Sequence, residues 1–436
     1  MLTPLRHPTF RFLFASQVLS LTGVGLMTAG LSLAAWRMGG ETHAGPMLGL
    51  FFALKMVAYV GFSPIAQALL ARTPRSPTLI GLDIGRLLLM IPLAFAGSWW
   101  SVAGLAFVFF AVSSAFTPLF QSMIPAVLPE KDAYSEALAL SRIAYTLESI
   151  VTPILVGAAL AFMNPQYLFV LAALGFVGSA VFILLAHVRV DVIASHLEPF
   201  RKRALHGLWI YARTPRLRGL FVLNFALSLV MAWVLVNTIV FAGSRFDNAE
   251  EVYPWLMGGF GVGAALMAFG LPSLMKVFSE RRIMAAGTLS FALLTPLIFV
   301  PVPLAELVFL WGLFGAASTL TLTPGGLVLT RSASDPDRPA VFAAQFSLSH
   351  AGWLIAYPLA GWLGTALSPE TSLVLLGMAS ALATLVGLAI FPENDPESRL
   401  HSHPDLPPDH PHLVGHGRQV HAHAFYIDDL HPRWDA

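Results

Sequence analysis

Apolar residues run along this chain in blocks of about 20, longer and more continuous than the cores of water-soluble helices require. Twelve such blocks lie near 10–36, 46–71, 78–98, 101–128, 140–162, 166–187, 217–243, 252–276, 282–300, 303–330, 340–366 and 371–391. A helix of that length rises about 30 Å, the thickness of bilayer hydrocarbon, so each block predicts one membrane span. The polar stretches between them are short except one, 188–216, which parts the blocks six and six. After residue 391 the pattern stops. The stretch 392–436 is polar and Pro-rich without periodicity, which predicts a disordered tail. The predicted organisation is a six-helix half over 1–187, a linker over 188–216, a second six-helix half over 217–391, and the tail.

The halves share a spacing. Pro8, Arg11, Leu13, Phe14 and Gln17 recur as Pro215, Arg218, Leu220, Phe221 and Asn224, in the pattern P-x-x-R-x-L-F-x-x-[QN]. Pro153 in the fifth span and Pro358 in the eleventh match at nearly the same offset. The pattern predicts an all-α membrane protein built from two parallel six-helix repeats.

Lys and Arg set the orientation, because they collect in cytoplasmic loops. With the N-terminus inside, Arg6, Arg72, Arg75, Lys131, Arg201, Arg213 and Arg338 all fall on the cytoplasmic side. Only Arg37 and Arg245 fall in outer loops. Both termini are then expected in the cytoplasm, with the chain in the cytoplasmic (inner) membrane. The first block runs full length from the N-terminus, so it reads as a retained span and not as a cleaved signal.

Composition narrows the functions. Hydrophobic residues make up 56% and charged residues 11%, against about 25% charged in soluble proteins. A net charge of +1 gives no basis for nucleic-acid binding. There is no cysteine, hence no disulfide framework, thiolate metal site or thiol nucleophile. No phosphate-binding G-x-x-x-x-G-K-[ST] loop occurs and no room is left for a catalytic domain. The expectation is a secondary transporter and not an enzyme, needing no cofactor, working as a monomer in the lipid bilayer on a small molecule or ion.

The opening HPTFRFLFASQVLSLTG, the stretch Arg213-Thr-Pro-Arg-Leu-Arg218, and Leu128-Pro-Glu-Lys-Asp132 resemble the major facilitator superfamily, in the exporter branch that includes drug and siderophore effluxers. The resemblance covers roughly residues 5–392. It implies two six-span halves around a central cavity that opens alternately to either side. The tail, ending HAHAFYIDDLHPRW, looks like the nickel-resistance permeases. The superfamily's loop signature after span 2, G-x-x-x-D-R-x-x-R-R, is matched here by Arg72 and Arg75, but Ala71 stands where the aspartate is expected. Asp83 and Arg86, an i,i+3 pair expected near the cytoplasmic end of span 3, are candidates to replace that gating charge relay.

Charged groups inside spans are costly and mark function by default. Lys55, Glu148 and His350 are such groups. Ser141, Tyr145, Glu148 and Thr152 fall on one helical stripe. The repeat offset carries Tyr145, Glu148 and Thr152 onto His350, Trp353 and Tyr357, so the two faces are expected to look into one cavity. Glu148 is the candidate proton carrier, because a poorly hydrated carboxyl titrates closer to neutrality. The alternative is a structural ion pair with Lys55 or Arg142. Gln17 and Asn224 are repeat-related cavity candidates. Ser113, Thr117 and Gln121 form one further polar stripe, and Asn224, Ser228, Met231 and Thr238 another. Each lines either the cavity or a helix–helix contact.

Eight of the fourteen histidines fall within the last 36 residues: His401, His403, His410, His412, His416, His421, His423 and His431. Neutral imidazole is a common ligand for late divalent transition metals. Without thiolate, Ni, Co, Zn or Cu(II) is favoured over Cu(I). His401/His403 and His421/His423 are H-x-H pairs whose side chains point the same way in an extended chain. Three readings stay open. One is a proton-coupled exporter of a divalent ion such as nickel, with the tail gathering cargo. Another is a drug or siderophore exporter with a metal-binding regulatory tail. The last is a membrane metal sensor that does not transport.

Overall fold

A computed structural model describes residues 3–70, 73–128, 130–188, 200–334, 337–395, 398–403, 407, 411–416, 420–428, 430–431 and 433–434; the side chains of 3, 63–69, 118, 122, 125–126, 131–132, 134–135, 138–139, 142–143, 145–147, 149–150, 200–204, 339, 411 and 415–416 lie outside that description. The apolar blocks fold as long helices. These are α1 (Pro8–Leu70), α2 (Arg75–Ala94), α3 (Trp99–Val127), α4 (Lys131–Leu160), α5 (Tyr167–Ala186), α6 (Phe200–Arg213), α7 (Pro215–Arg245), α8 (Ala249–Met275), α9 (Glu280–Leu294), α10 (Leu304–Thr330), α11 (Arg338–Ala366) and α12 (Pro369–Ile390).

The first two predicted spans join as the arms of α1. They are separated at Gly40, whose φ of 54° and ψ of −154° break the helical geometry. A side chain there would be strained, so the reversal of direction falls on glycine. Residues 189–199 of the linker lie outside the described residues. The linker contains α6, which packs on α11 through His206 Nε2 and Asp337 Oδ1, 3.1 Å apart.

Among the described residues, nine helices are apolar and long enough to cross a membrane, the first of them running through both arms of α1. Helix α11 is not one of them, and its Ser347 and His350 line the cavity described below. Outward faces carry large apolar side chains: Phe95 is 80% exposed, Leu266 68% and Phe309 68%. That is the surface a lipid-immersed bundle needs, not one that faces water.

Within the first half, α1 packs on α3 and α5, and α2 on α5. Within the second, α8 and α9 pack on α10, and α7 on α11 and α12. Lipid tails are as apolar as leucine, so helices associate through close backbone approach. A Cβ on Gly263 would collide with the Gly312 carbonyl group, and one on Gly45 would stand 3.2 Å from the Gly361 carbonyl.

The halves meet through α1 with α7 and α11, and through α4 with α8. Many of these contacts sit at the end away from the linker. Arg37 grips Glu250 with two hydrogen bonds, 2.6 and 3.1 Å. Tyr253 donates to Ser32 at 3.4 Å, and Asn237 of α7, which donates to the Ala360 carbonyl of α11 at 2.8 Å within the second half, sets its Oδ1 against Gly45 of α1. Toward the linker end Gln121, Phe346 and Ser347 are exposed. The bundle is closed at the far end and open at the linker end.

The tail corrects the expectation of disorder. Strand β1 (Ser398–Ser402) pairs antiparallel with β2 (Val420–Ala424), and a short helix α13 (Pro411–His416) lies between them in the chain. Phe425, Ile427 and Trp434 are buried in one apolar cluster with Tyr211 of α6, Leu217 and Leu220 of α7, Val328 of α10 and Val341 of α11. Polarity and proline hid this, because the residues of α6, α7, α10 and α11 that help to bury those three lie far away in the chain.

The far-end closure is testable. A Cβ on Gly361 would lie 2.5 Å from the Gly45 carbonyl oxygen, so Gly361→Leu should cost the closed state about 1–3 kcal/mol. The chain has no cysteine of its own, so a thiol at Thr28 in the cavity can be labelled alone. Reagent added from the far side should react about tenfold or more faster in the Leu variant; an unchanged rate would show that this contact does not hold the closure.

Candidate transport cavity and metal centre

Between the halves lies a cavity of about 760 Å³. Helix α1 gives it Gln17, Thr28, Phe52, Lys55 and Tyr59; α3 gives Ser113, Thr117 and Gln121; α4 gives Glu148 and Thr152; α8 gives Tyr253; and α11 gives Phe346, Ser347, His350 and Tyr357. Lys55 and Glu148, from different helices, attract one another across it. Lys55 Nζ also stands 5.7 Å from the Tyr59 ring centre and 5.5 Å from that of Phe110, where ring faces partly replace water around a cation.

His350 Nδ1 lies 2.7 Å from the Phe346 carbonyl. A backbone carbonyl only accepts, so Nδ1 carries the hydrogen and Nε2 of the neutral ring is left as an acceptor. Lys55 is in electrostatic reach of His350 as well. The first half's Lys55 therefore faces a carboxylate of its own half and an imidazole of the other. The Glu148 carboxylate and the Thr152 hydroxyl press against Gly25 of α1, where a Cβ would clash with both.

Of the repeat-related residues, Glu148, Thr152, His350 and Tyr357 line the cavity. Trp353 instead packs on the apolar core beside Tyr357. The side chains of Tyr145 and Arg142 lie outside the described residues, as does Arg72. Gln17 lines the cavity, with its Oε1 buried and unpaired. Asn224 is a correction: it is half-buried on α7 and does not line the cavity. The two polar stripes divide. Ser113, Thr117 and Gln121 line the cavity, whereas Ser228 and Thr238 donate to carbonyls of their own helix, and Thr238 accepts from Trp311 Nε1 at 3.0 Å.

Asp83 and Arg86 are also corrected. They lie roughly 12 and 16 Å along α2 from Arg75, fully buried and ion-paired to each other. Arg86 donates to Ser20 at 3.0 Å and stacks 4.1 Å from the Phe116 ring. Ser179 donates to Asp83 at 2.8 Å. This is an interior clasp across α1, α2, α3 and α5, with Arg86 on the cavity edge. Arg75 stays near the surface and donates to the Leu70 carbonyl at 3.2 Å, at the end of α1.

The second constellation is in the tail. His401 pairs with His421 in the strand register, and alternation sets His403 and His423 on the same face. α13 adds His412, and the segment after β2 adds His431. Two overlapping groups of four form, His401/His412/His421/His423 and His401/His403/His412/His431. In each, one nitrogen per ring lies within 4.8 Å of all the others. Individual Nε2–Nε2 separations are 3.0 Å for His421–His412 and 3.1 Å for His403–His431 and His431–His401. Metal–nitrogen bonds of about 2.0–2.1 Å place neighbouring ligands of a tetrahedral ion about 3.3 Å apart.

Asp428 Oδ1 accepts from His431 Nδ1 at 2.8 Å and from the His431 backbone N–H at 2.7 Å. That carboxylate fixes the His431 tautomer with its Nε2 lone pair turned to the other rings, as metal sites require. Burial raises Asp428, but the His431 hydrogen bonds outweigh it and hold the carboxyl below its ordinary value. Burial, with repulsion from the neighbouring rings, pushes His401 and His412 down to about 4. His410 and the side chain of His416 lie outside the described residues.

Sequence reasoning missed Asp395, Arg216 and Trp434, which fasten the tail. Asp395 pairs with Arg331 at 2.7 Å and with Arg216 at 3.4 Å, and Arg216 lies 4.7 Å from the Trp434 ring. Nothing local marks them: their partners are distant in the chain.

A family model described as Major Facilitator Superfamily matches residues 13–246 and 221–410. The uncharacterized MFS-type transporter y4rN of Sinorhizobium fredii is 26% identical over 279 residues, covering 63% of this chain and 68% of that protein. Among solved structures, a POT family transporter in complex with 5-aminolevulinic acid superposes with a TM-score of 0.71 at 13% identity, covering 88% of this chain and 96% of that one. The nucleoside transporter NupG gives 0.69 at 12% identity over 87% of this chain and 100% of that one. A bacterial homolog of the human lysosomal transporter Spinster gives 0.69 at 13% identity, covering 88% and 96%.

The tail histidines carry a pH prediction. The folded values of His401 and His412 lie below the ordinary 6.5. Protons therefore favour the unfolded tail between about 4 and 6.5, and the tail's fold is stable above that window and weakens as pH falls through it. Nickel held by the full chain, followed by equilibrium dialysis from pH 7 to 4, should stay bound at pH 6 and be released nearer pH 5. Release at pH 6.5, like free histidine, would show that the cluster is not preorganised.

Proposed function

The chain belongs to the major facilitator superfamily of membrane transporters, and we propose that it is a proton-coupled exporter of a divalent late transition metal ion, nickel being the first to test. The observation that carries the reading is the tail: six imidazoles gathered at the linker end of the bundle, where the cavity opens. By the Lys/Arg asymmetry that end is cytoplasmic, so the tail offers ions to the mouth of an inward-open cavity. Glu148 is the proton carrier. Lys55 competes with the proton for that carboxylate, and His350 answers the same cation from the other half. Movement of the halves alters both distances and so couples proton exchange to alternating access. Arg86 with Asp83 keeps the first half rigid while this happens.

One observation favours a second reading. The cavity is wide and aromatic, lined by Phe52, Tyr59, Phe346 and Tyr357 as well as Lys55. An anionic or amphipathic organic molecule suits such a lining better than a bare cation does, and a cation would meet Lys55. In that case the tail reports on metal and the cargo is organic.

Reconstituted vesicles with an imposed pH gradient separate the two. The expected result is nickel movement driven by the gradient. Glu148→Gln should reduce the coupled rate by about a hundredfold or more while preserving expression. Deleting 398–436 should raise the half-saturating metal concentration about tenfold with a similar maximal rate. Full coupled transport by the Gln variant would reduce Glu148 to a structural partner of Lys55. Nickel binding without nickel transport would give the organic reading. A reporter fused after Ala436 should be active only if it requires the cytoplasm, and the opposite result would overturn the orientation.

A further inference from the structure

The histidine cluster and the bundle are connected through one aromatic ring. Phe425 directly follows β2. Its ring centre lies 5.2 Å from that of His401 and 4.9 Å from that of His431 on one side, and 5.6 Å from that of Trp434 on the other. Trp434 is buried and lies between two guanidinium groups, Arg399 of β1 at 4.5 Å and Arg216 of α7 at 4.7 Å. Arg216 is itself 3% exposed and donates to the Phe425 carbonyl at 3.2 Å. Asp395 then ties Arg216 to Arg331, the C-terminal cap of α10. Cage, Phe425, Trp434 and the ends of α7 and α10 form one packed column.

The same geometry says what closes the cage. Its ligands come from four separate pieces of chain: β1 and the residue after it, α13, β2, and the turn at Asp428–His431. His401 and His431 both turn Nδ1–H to an acceptor, the Arg399 carbonyl and the Asp428 carboxylate, so with neutral rings their Nε2 lone pairs face one another at 3.1 Å, an arrangement that holds together only when a cation or a proton lies between them.

We propose that one divalent late transition ion bound by this imidazole cage fastens the tail onto α7 and α10, so that metal occupancy restrains the second half and sets its readiness to move. The inference rests on the reading of the tail as a metal site and not on which cargo is carried. Binding and docking are reciprocal. The metal strengthens docking by the same factor by which docking strengthens metal binding.

Hydrogen–deuterium exchange of the full chain in lipid nanodiscs, with and without nickel, tests this. Nickel should slow exchange about tenfold or more in 420–434, and also at the start of α7 and the end of α10. Trp434→Ala leaves every ligand in place. It should abolish the nickel effect on α7 and α10 and weaken nickel affinity, measured by equilibrium dialysis. Asp395→Asn, a milder change, should do the same in smaller degree. His401→Ala with His412→Ala removes the two ligands shared by both groups and should leave α7 and α10 blind to nickel. If nickel protects the tail alone in the native chain, or if Trp434→Ala keeps native affinity, the tail is an independent chelator and the inference is overturned. If the native chain binds none of nickel, cobalt, zinc or copper(II), the metal-site reading falls with it. Metal transport by the carrier lacking 398–436 decides the cargo question separately.

Discussion

A polar group between the ends of these helices finds no water, and must be satisfied by another part of the protein. Much of the interior follows from that constraint. Arg86 is tolerated because Asp83, Ser20 and two aromatic rings surround it. Lys55 is tolerated because Glu148 opposes it and Tyr59 and Phe110 flank it. The difference between the two lies in their number of partners. Arg86 and Asp83, at the cavity edge, are held by Ser20, Ser179, Phe116 and Phe176 of one half, which makes them a fastener. Lys55 and Glu148 face a cavity shared with the other half, whose geometry changes when the halves move.

The same reasoning explains the packing. Where lipid supplies no hydrophobic drive between helices, close contact between small residues does the work. The glycine contacts of α8 with α10, and of α1 with α11, serve different ends. The first pair belongs to one half and fixes its shape. The second joins the halves at the far end, where a closed surface must also come apart. Tight but apolar backbone contact, with Arg37–Glu250 at the rim, suits an interface that opens and recloses.

The tail follows the opposite rule. It is polar and short of apolar residues, and could not build a core of its own. It borrows one by inserting Phe425, Ile427 and Trp434 among the ends of α6, α7, α10 and α11. This packs a histidine-rich segment against the second half instead of leaving it a tether beside it. A flexible chelator would change only the local supply of metal. A docked one also acts on the helices it touches.

What the chain itself determined is the part governed by short-range periodicity. Apolar blocks of bilayer length, their six-and-six division, and the recurrence of Pro153 as Pro358 carried the helical architecture, because each depends only on neighbours a few turns apart. Glu148, Lys55 and His350, which line the cavity, were legible as candidates for a related reason: a charged or titratable group in an apolar block is conspicuous wherever the block ends up. The tertiary structure decided which stripe faced the cavity, because Ser113–Thr117–Gln121 and Ser228–Thr238 look alike along the chain and differ only in what packs against them. It also decided the fate of Asp83 and Arg86, whose depth depends on how α2 lies against α1 and α5. Above all it decided the tail. His401 meets His421 across an intervening helix, and Trp434 meets Arg216 across most of the second half, so no local pattern of residues could announce either contact.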